Sequence, residues 1–265
     1  MANASPADRT GSRAVLTAAT PLISSDTMDA LLYGWPWVAL IVGVLLLLAL
    51  GLAPRPAGAP PRLRDPRWLL WIGLPIYMLH QFEEHGIDLF GRPYAFHSSF
   101  CSTLGYLDIS VCPADPAFLA AVNVGAVWLA FLSGALVGPR NAMVGATALG
   151  IPLVNAGMHL VPALRTGTYN PGVATGVLLL LPLAVLGLRG LAGAGLLDRR
   201  RIAVVALAGV GLHAGLLASL TAYMRGHLSH SGLLAAQVAL GFIPLAVGLA
   251  LGNAPRRDHH PPPAA

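Results

Sequence analysis

The sequence predicts an all-α protein, a polytopic transmembrane helical bundle of about seven spans (six to seven). Three observations carry that expectation. The 265 residues are 55% hydrophobic and only 10% charged, whereas a soluble domain carries about 25% charge. The apolar residues gather into seven runs, approximately 31–53, 68–85, 117–137, 141–162, 171–189, 202–222 and 232–252, close to the ~20 residues that cross a hydrocarbon core of about 30 Å. Lipid gives the backbone no hydrogen-bond partner, so each run has to close its own bonds as a helix.

Taken in order, residues 1–30 are polar and rich in Ala, Ser and Thr. They lack the short apolar core and small-residue cleavage site of a secretory signal and are expected to be a flexible leader. Residues 31–252 form one transmembrane domain, and 253–265, with His259-His260 and a proline run, read as a disordered tail. The second run is the weakest in hydropathy because it ends in His80-Gln81-Phe82-Glu83-Glu84. Pro75, Pro152, Pro182 and Pro244 fall inside runs and predict local kinks.

The connections predict an orientation. All of the basic charge is arginine. Arg55, Arg62, Arg64, Arg67, Arg140, Arg189, Arg199, Arg200, Arg201, Arg256 and Arg257 fall on one side, and Arg9, Arg13, Arg92, Arg165 and Arg225 on the other. The richer side is expected to be cytoplasmic, with the N-terminus outside and the C-terminus inside. Arginines placed at span ends set topology, so no nucleic-acid partner is expected. The composition sets no oligomeric state.

The long internal connection, 86–116, falls on the outer side. Aromatic residues are interleaved there with Asp88, His97, Asp108 and Asp115, and a loop of that length is expected to be a lid or a plain connector. It holds both cysteines, Cys101 and Cys112. A local disulfide is expected if the loop meets an oxidising compartment, and two free thiols if it does not.

Three polar groups then fall at one depth. His80, Glu83 and Glu84 share an arc of roughly 100° on a helix. They lie about 18–24 Å along the second run. Asn155 and His159, one helical turn apart, lie about 21–27 Å along the fourth run, which points the same way. Tyr169-Asn170-Pro171-Gly172-Val173-Ala174-Thr175 turns into the fifth run at that same end. Its free N–H groups are suited to an anion or a developing negative charge. An ionisable residue at mid-membrane costs about 2.5–3.5 kcal/mol, so such groups face a bundle interior. Each group also has a plainer reading, as polar glue between helices or as a loop and helix start.

His80-x-x-Glu83-Glu84, Asn155-x-x-x-His159 and Tyr169-x-Pro171-Gly172-x-x-Thr175 resemble the three motifs of the HXXEE family, uncharacterised bacterial integral membrane proteins. The resemblance covers roughly 68–189 and implies a multi-pass protein of a bacterial cytoplasmic (inner) membrane, presumed to be an enzyme. It departs after Glu84, where His85-Gly86-Ile87-Asp88 stands in place of an aromatic residue followed by Trp-Pro-Gly-Gly.

The chemistry these residues suit is that of a metal-dependent, zinc-type hydrolase or lipid-modifying enzyme. Two histidines and a carboxylate leave zinc an open position for water. His80 and His159 are the expected ligands with Glu83 or Glu84 as the third, and the other glutamate as general base. Asn155 is expected to orient a ligand or the attacking oxygen, and Tyr169 and Thr175 to stabilise an oxyanion. The substrate would be amphiphilic. Two alternatives stay open: a metal-free glutamate/histidine membrane hydrolase, and a proton-coupled transporter using the same buried groups. Further off, His213 reads as a hydrogen-bonded interior histidine, His227 and His230 as loop residues, and Arg225 as a snorkelling anchor.

Overall fold

The computed structural model describes residues 25–252. The predicted tail and all but the end of the predicted leader lie outside the described residues. Among the described residues the secondary structure is helical throughout, apart from an isolated antiparallel bridge between Ile87 and Pro93. We number the helices α1 Ser25–Leu52, α2 Pro66–His85, α3 Ala95–Thr103, α4 Pro116–Val137, α5 Ala142–Thr166, α6 Val173–Gly193, α7 Arg199–Met224, α8 His230–Leu240 and α9 Ile243–Leu251. Each apolar run is helical, the last of them broken at Gly241-Phe242 into α8 and α9. α1 starts at Ser25, earlier than its run suggested, and α3 is a further helix inside the long loop.

Most of these helices start where a short polar side chain closes the first turn. Asp65 accepts from Arg67 N at 3.0 Å, Asp115 from Phe118 N at 2.8 Å, and Asp198 from Arg201 N at 2.8 Å. Asn141 and Ser229 cap α5 and α8 in the same way. Such caps satisfy N–H groups that the helix itself cannot. Pro66 and Pro116 follow their caps, at positions where a missing N–H costs nothing.

By length and apolar composition, α1, α4, α5, α6 and α7 can each cross a membrane, and α8 with α9, bent by 42°, can make a sixth crossing. Seven crossings are therefore not established on that criterion. The shortfall is α2, whose 20 residues reach about 30 Å but end in the polar group that lowers its hydropathy. His80, Gln81, Glu83, Glu84 and His85 are all buried, because α2 lies between α1 on one side and α4 and α6 on the other. The helix hides its polar end in protein.

α5 is the central element, packed by α4, α6, α7 and α9. The core around Tyr77, Phe131, Leu149 and Leu180 fills the space between α2, α4, α5 and α6. A second cluster at the end of the bundle where α3 lies joins Cys101, Phe118, Leu220 and Leu233. Cys101 and Cys112 form a disulfide, so α3 is tied to the segment that leads into α4. Two stretches widen to π-helix, Ala121–Trp128 within α4 and Gly176–Leu180 within α6. Both border the polar region, and π-bulges concentrate at functional sites.

Candidate functional site

The last turns of α2, the far part of α5 and the first turn of α6 meet at one point. His80 is wholly buried, and Glu84 and His159 keep 4% and 7% of their surface. One ligand atom from each of His80, Glu84 and His159 lies within 4.8 Å of the others. His80 Nε2 is 3.4 Å from Glu84 Oε2, and His159 Nε2 is 3.0 Å from Glu84 Oε1. Zinc bonds of about 2.1 Å in a tetrahedron put neighbouring ligand atoms about 3.4 Å apart, so the spacing fits such an ion.

Glu83 points the other way, into the start of α6. Its Oε1 accepts from the Tyr169 hydroxyl at 2.9 Å and from Ala174 N at 3.2 Å. Its Oε2 accepts from Thr175 N at 2.7 Å and Thr175 Oγ1 at 2.5 Å. The anion expected at this helix start is therefore the protein's own carboxylate. Tyr169 and Thr175, expected as oxyanion donors, give their hydrogens to Glu83. Burial first, and then the Glu83 carboxylate beside it, push the Tyr169 hydroxyl above the usual phenol value against a lowering by Leu89 N–H. Tyr169 stays a donor across the physiological range.

These bonds fix the imidazole tautomers. Thr175 Oγ1 spends its hydrogen on Glu83, so at 2.9 Å from His80 Nδ1 it accepts, and the His80 proton sits on Nδ1. His80 Nε2 then carries a lone pair, and it has no hydrogen-bond partner. The Asn170 amide nitrogen donates to His159 O at 2.9 Å. Asn170 Oδ1 therefore accepts from His159 Nδ1 at 2.9 Å, and neutral His159 likewise turns a lone pair toward Glu84. Partners of this kind, hydrogen-bonded to the far nitrogen, orient metal-ligating histidines.

A second network runs beside the first and was not foreseen. The Trp128 indole, a donor only, gives 2.7 Å to Gln81 Oε1. Gln81 Nε2 is thereby turned to Asn123, 3.1 Å from its backbone oxygen and 3.0 Å from Oδ1. Asn123 Nδ2 is left to donate to Leu119 O at 2.9 Å and to His85 Nε2 at 3.1 Å. His85 Nε2 stands 3.6 Å from Glu84 Oε2. The signal for Asn123 was present in the sequence, since a lone amide in an apolar run needs a partner inside the bundle.

Gly172 shows why the turn into α6 carries a glycine. Its φ is +93°, and a Cβ there would lie 2.6 Å from His159 Cε1 and 2.9 Å from Glu84 Cγ. A side chain would be strained by the backbone and would strike two of the converging residues.

Glu84 and His159 also border a cavity of about 520 Å³ whose walls are mostly apolar, within the usual range of ligand pockets. Asn155 lines it and is hydrogen-bonded to the Tyr77 hydroxyl, with its Oδ1 left unpartnered. The 86–116 connection covers this cavity: Phe96, Phe100 and Leu104 of the loop face it, and Leu89 N reaches Tyr169 OH at 3.1 Å. His213 is hydrogen-bonded to Gly209 O at 2.8 Å, as expected of an interior histidine, and it also borders the cavity. His230 pairs with Asp115 at 2.9 Å, away from the site. His97, Cys101 and Cys112 also lie within metal-binding reach of one another, but the two sulfurs are bonded together.

The model of a family described as "Protein of unknown function with HXXEE motif" matches residues 71–186. That stretch holds all three motifs. Neither the curated proteins nor the solved structures gave a match.

Proposed function

Residues 71–186 belong to the HXXEE family, and on that premise we propose a multi-pass enzyme of a bacterial cytoplasmic membrane, of the metal-dependent hydrolase or lipid-modifying class. Its substrate is amphiphilic or a lipid, and its surroundings are membrane lipids. α2 serves as a seventh crossing, with the arginine-rich ends cytoplasmic and the site near the outer face. His80, Glu84 and His159 hold a divalent ion of the zinc type.

One observation carries this reading. Two histidines, each engaged at Nδ1 by an oxygen acceptor, aim Nε2 at the two oxygens of one buried carboxylate, and as neutral rings they turn lone pairs on it. Acceptor facing acceptor is unfavourable in a low-dielectric interior, and a cation among them resolves it. Such an ion supplies Lewis acidity and activates water near neutral pH.

The chain's own residues then divide the remaining work. Glu83, expected as a candidate ligand or general base, has both oxygens engaged by two donors each and acts by positioning. Through Thr175 it holds His80 in the ligating tautomer, and Tyr169 holds Glu83 in place. Asn170 does the same for His159. Glu84 is the carboxylate beside the reacting atoms, and Asn155 offers the cavity an amide to orient the substrate's polar linkage.

The test is elemental analysis of the purified protein. About one bound ion per chain is expected from a single three-ligand site, lost in His80→Ala and in His159→Ala; metal at background in all three would end the zinc reading. The 3.0 Å contact of His159 Nε2 with Glu84 also supports a second reading, in which a proton takes the ion's place. A metal-free hydrolase of that kind would ignore strong chelators, and a proton-coupled carrier would lose uptake in Glu84→Gln.

A further inference from the structure

The cavity beside the site is bordered from two different surroundings. Met158 and Leu217 line it, yet they are 47% and 40% exposed on α5 and α7, both apolar enough to cross a membrane. These helices run side by side in the same direction, Val205 beside Gly150 and Gly209 beside Gly150 and Val154. Met158 and Leu217 thus sit about 24 and 27 Å along from Ala142 and Arg199, at nearly one depth. Ser99 and Thr103, exposed on α3, border the same opening.

Small residues decide where the opening begins. A Cβ on Gly150 would come within 2.5 Å of Val205 O, and one on Gly209 within 2.5 Å of Gly150 O. The two backbones meet there, as small residues allow in membrane helices. Further along, the facing positions are Ile151, Asn155 and Met158 against Leu212, Leu216 and Leu217, and these frame the cavity. The pair is shut at the glycines and open beyond them.

We propose that the gap between α5 and α7, beneath α3, is a lateral portal for one acyl chain of a membrane lipid. Exposed apolar side chains on spanning helices meet hydrocarbon, not water, so the occupant reaching this mouth is an acyl chain. The hydroxyls of Ser99 and Thr103 mark the interfacial rim, where a lipid's head and chains join. The polar centre lies at the same depth as the mouth. A lipid therefore needs only to slide sideways to bring its ester or amide linkage to Glu84 and His159 while its chain fills the apolar wall. The role of the centre rests on the function proposed above; the route does not.

The experiment uses the full chain in phospholipid vesicles containing a trace of phosphatidylcholine with a diazirine near the end of one acyl chain. After irradiation, labelled residues are mapped by mass spectrometry, with chelator present so that neither metal nor turnover matters. Labelling is expected at Val127, Ile151 and Leu212, each at most 3% exposed and each lining the cavity. It is lost in the Met158→Trp/Leu217→Trp variant, while belt labelling at Leu207 and Leu164 persists and reports that the variant is folded and inserted. Leu164→Trp, away from the mouth, leaves cavity labelling intact. Belt labelling without cavity labelling in the parent overturns the proposal, as does cavity labelling that survives the plug.

Discussion

His80 Nε2 stands 3.4 Å from Glu84 Oε2 without a hydrogen-bond partner, while the opposite nitrogen of the same ring is bonded to Thr175. The ring is held so that its unprotonated edge faces a carboxylate across the width of a cation. Glu83, one helical turn after His80, causes this by taking the Thr175 hydrogen.

Thr175→Val therefore acts on the metal through His80. Without the hydroxyl, His80 Nδ1–H loses its acceptor and the ring is free to change tautomer. Changes of this kind cost about 10–100-fold in metal affinity. Zinc titration by calorimetry should show that loss, with Thr175→Ser close to the parent. Equal affinity in all three proteins would remove the relay.

The two adjacent glutamates should separate cleanly. In Glu83→Gln an amide NH₂ must face the donors that now meet a carboxylate oxygen, leaving a buried donor unpaired at a cost of about 1–3 kcal/mol. The melting temperature in micelles should fall. Glu84→Gln removes a buried charge that faces two lone pairs, so the metal-free protein should melt no lower than the parent, yet bind no zinc. Two variants with the same melting temperature and the same zinc affinity would show that the two side chains have no separate roles.

Gly172→Ala adds one carbon where the backbone φ is +93° and His159 Cε1 would lie 2.6 Å away. Conformational strain of this kind costs on the order of 1–3 kcal/mol, and the displaced His159 should lower metal affinity as well. Gly167, also at positive φ but with open space around its Cβ position, is the control. Its alanine variant should lose stability without losing zinc.

Trp128→Phe tests the second network. The indole N–H sets the Gln81 amide, which sets Asn123, which donates to His85. Removing that donor leaves Gln81 Oε1 buried and unpaired, at a cost of about 1–3 kcal/mol, and lets the amide turn over. A drop in melting temperature is expected, together with a changed His85 ring-nitrogen shift by NMR. An unchanged shift would show that His85 takes its tautomer from elsewhere.

The meeting of α2, α5 and α6 was legible in the sequence because it needed only parity: helices two crossings apart point the same way, so residues at equal distance from the same side share a depth. The weakness of α2 as a span was legible for the same reason that it is buried, since its polar end has to face protein. What the sequence hid was the destination of each hydrogen. Nothing in the spacing of Tyr169 and Thr175 distinguishes an oxyanion hole from a cradle for Glu83. That depends on the rotation of α2 by a fraction of a turn, which packing against α1 and α4 decides. The partners of Asn123 and Trp128 were similarly hidden, because a π-helical stretch shifts which side chains of α4 share a face.

The cover over the site has its own acid limit, set at Asp88. Its carboxyl accepts from Phe90 N and Arg92 N, both at 2.9 Å, and from the Arg92 guanidinium at 2.7 Å. Burial alone would raise its pKa, but the Arg92 and Phe90 hydrogen bonds outweigh it and hold it below the usual aspartate value. A depressed folded-state pKa stabilises fully above the unfolded value of about 3.9, and that contribution falls away as pH drops through the folded value. The 86–94 turn, which also carries the Leu89 contact to Tyr169, should therefore stay closed from neutral pH down to about pH 4 and open only in stronger acid. The Arg92 side chain is 57% exposed, so the charge itself adds only about 0–1 kcal/mol, with the backbone donors supplying the rest. In Arg92→Ala the Asp88 value moves back up and the opening shifts to higher pH. Hydrogen exchange at the Leu89 and Arg92 amides of the parent, and at Leu89 in the variant, corrected for intrinsic rates, reads both midpoints. A turn that opened near pH 6, where histidines titrate, would show that Asp88 is not its latch.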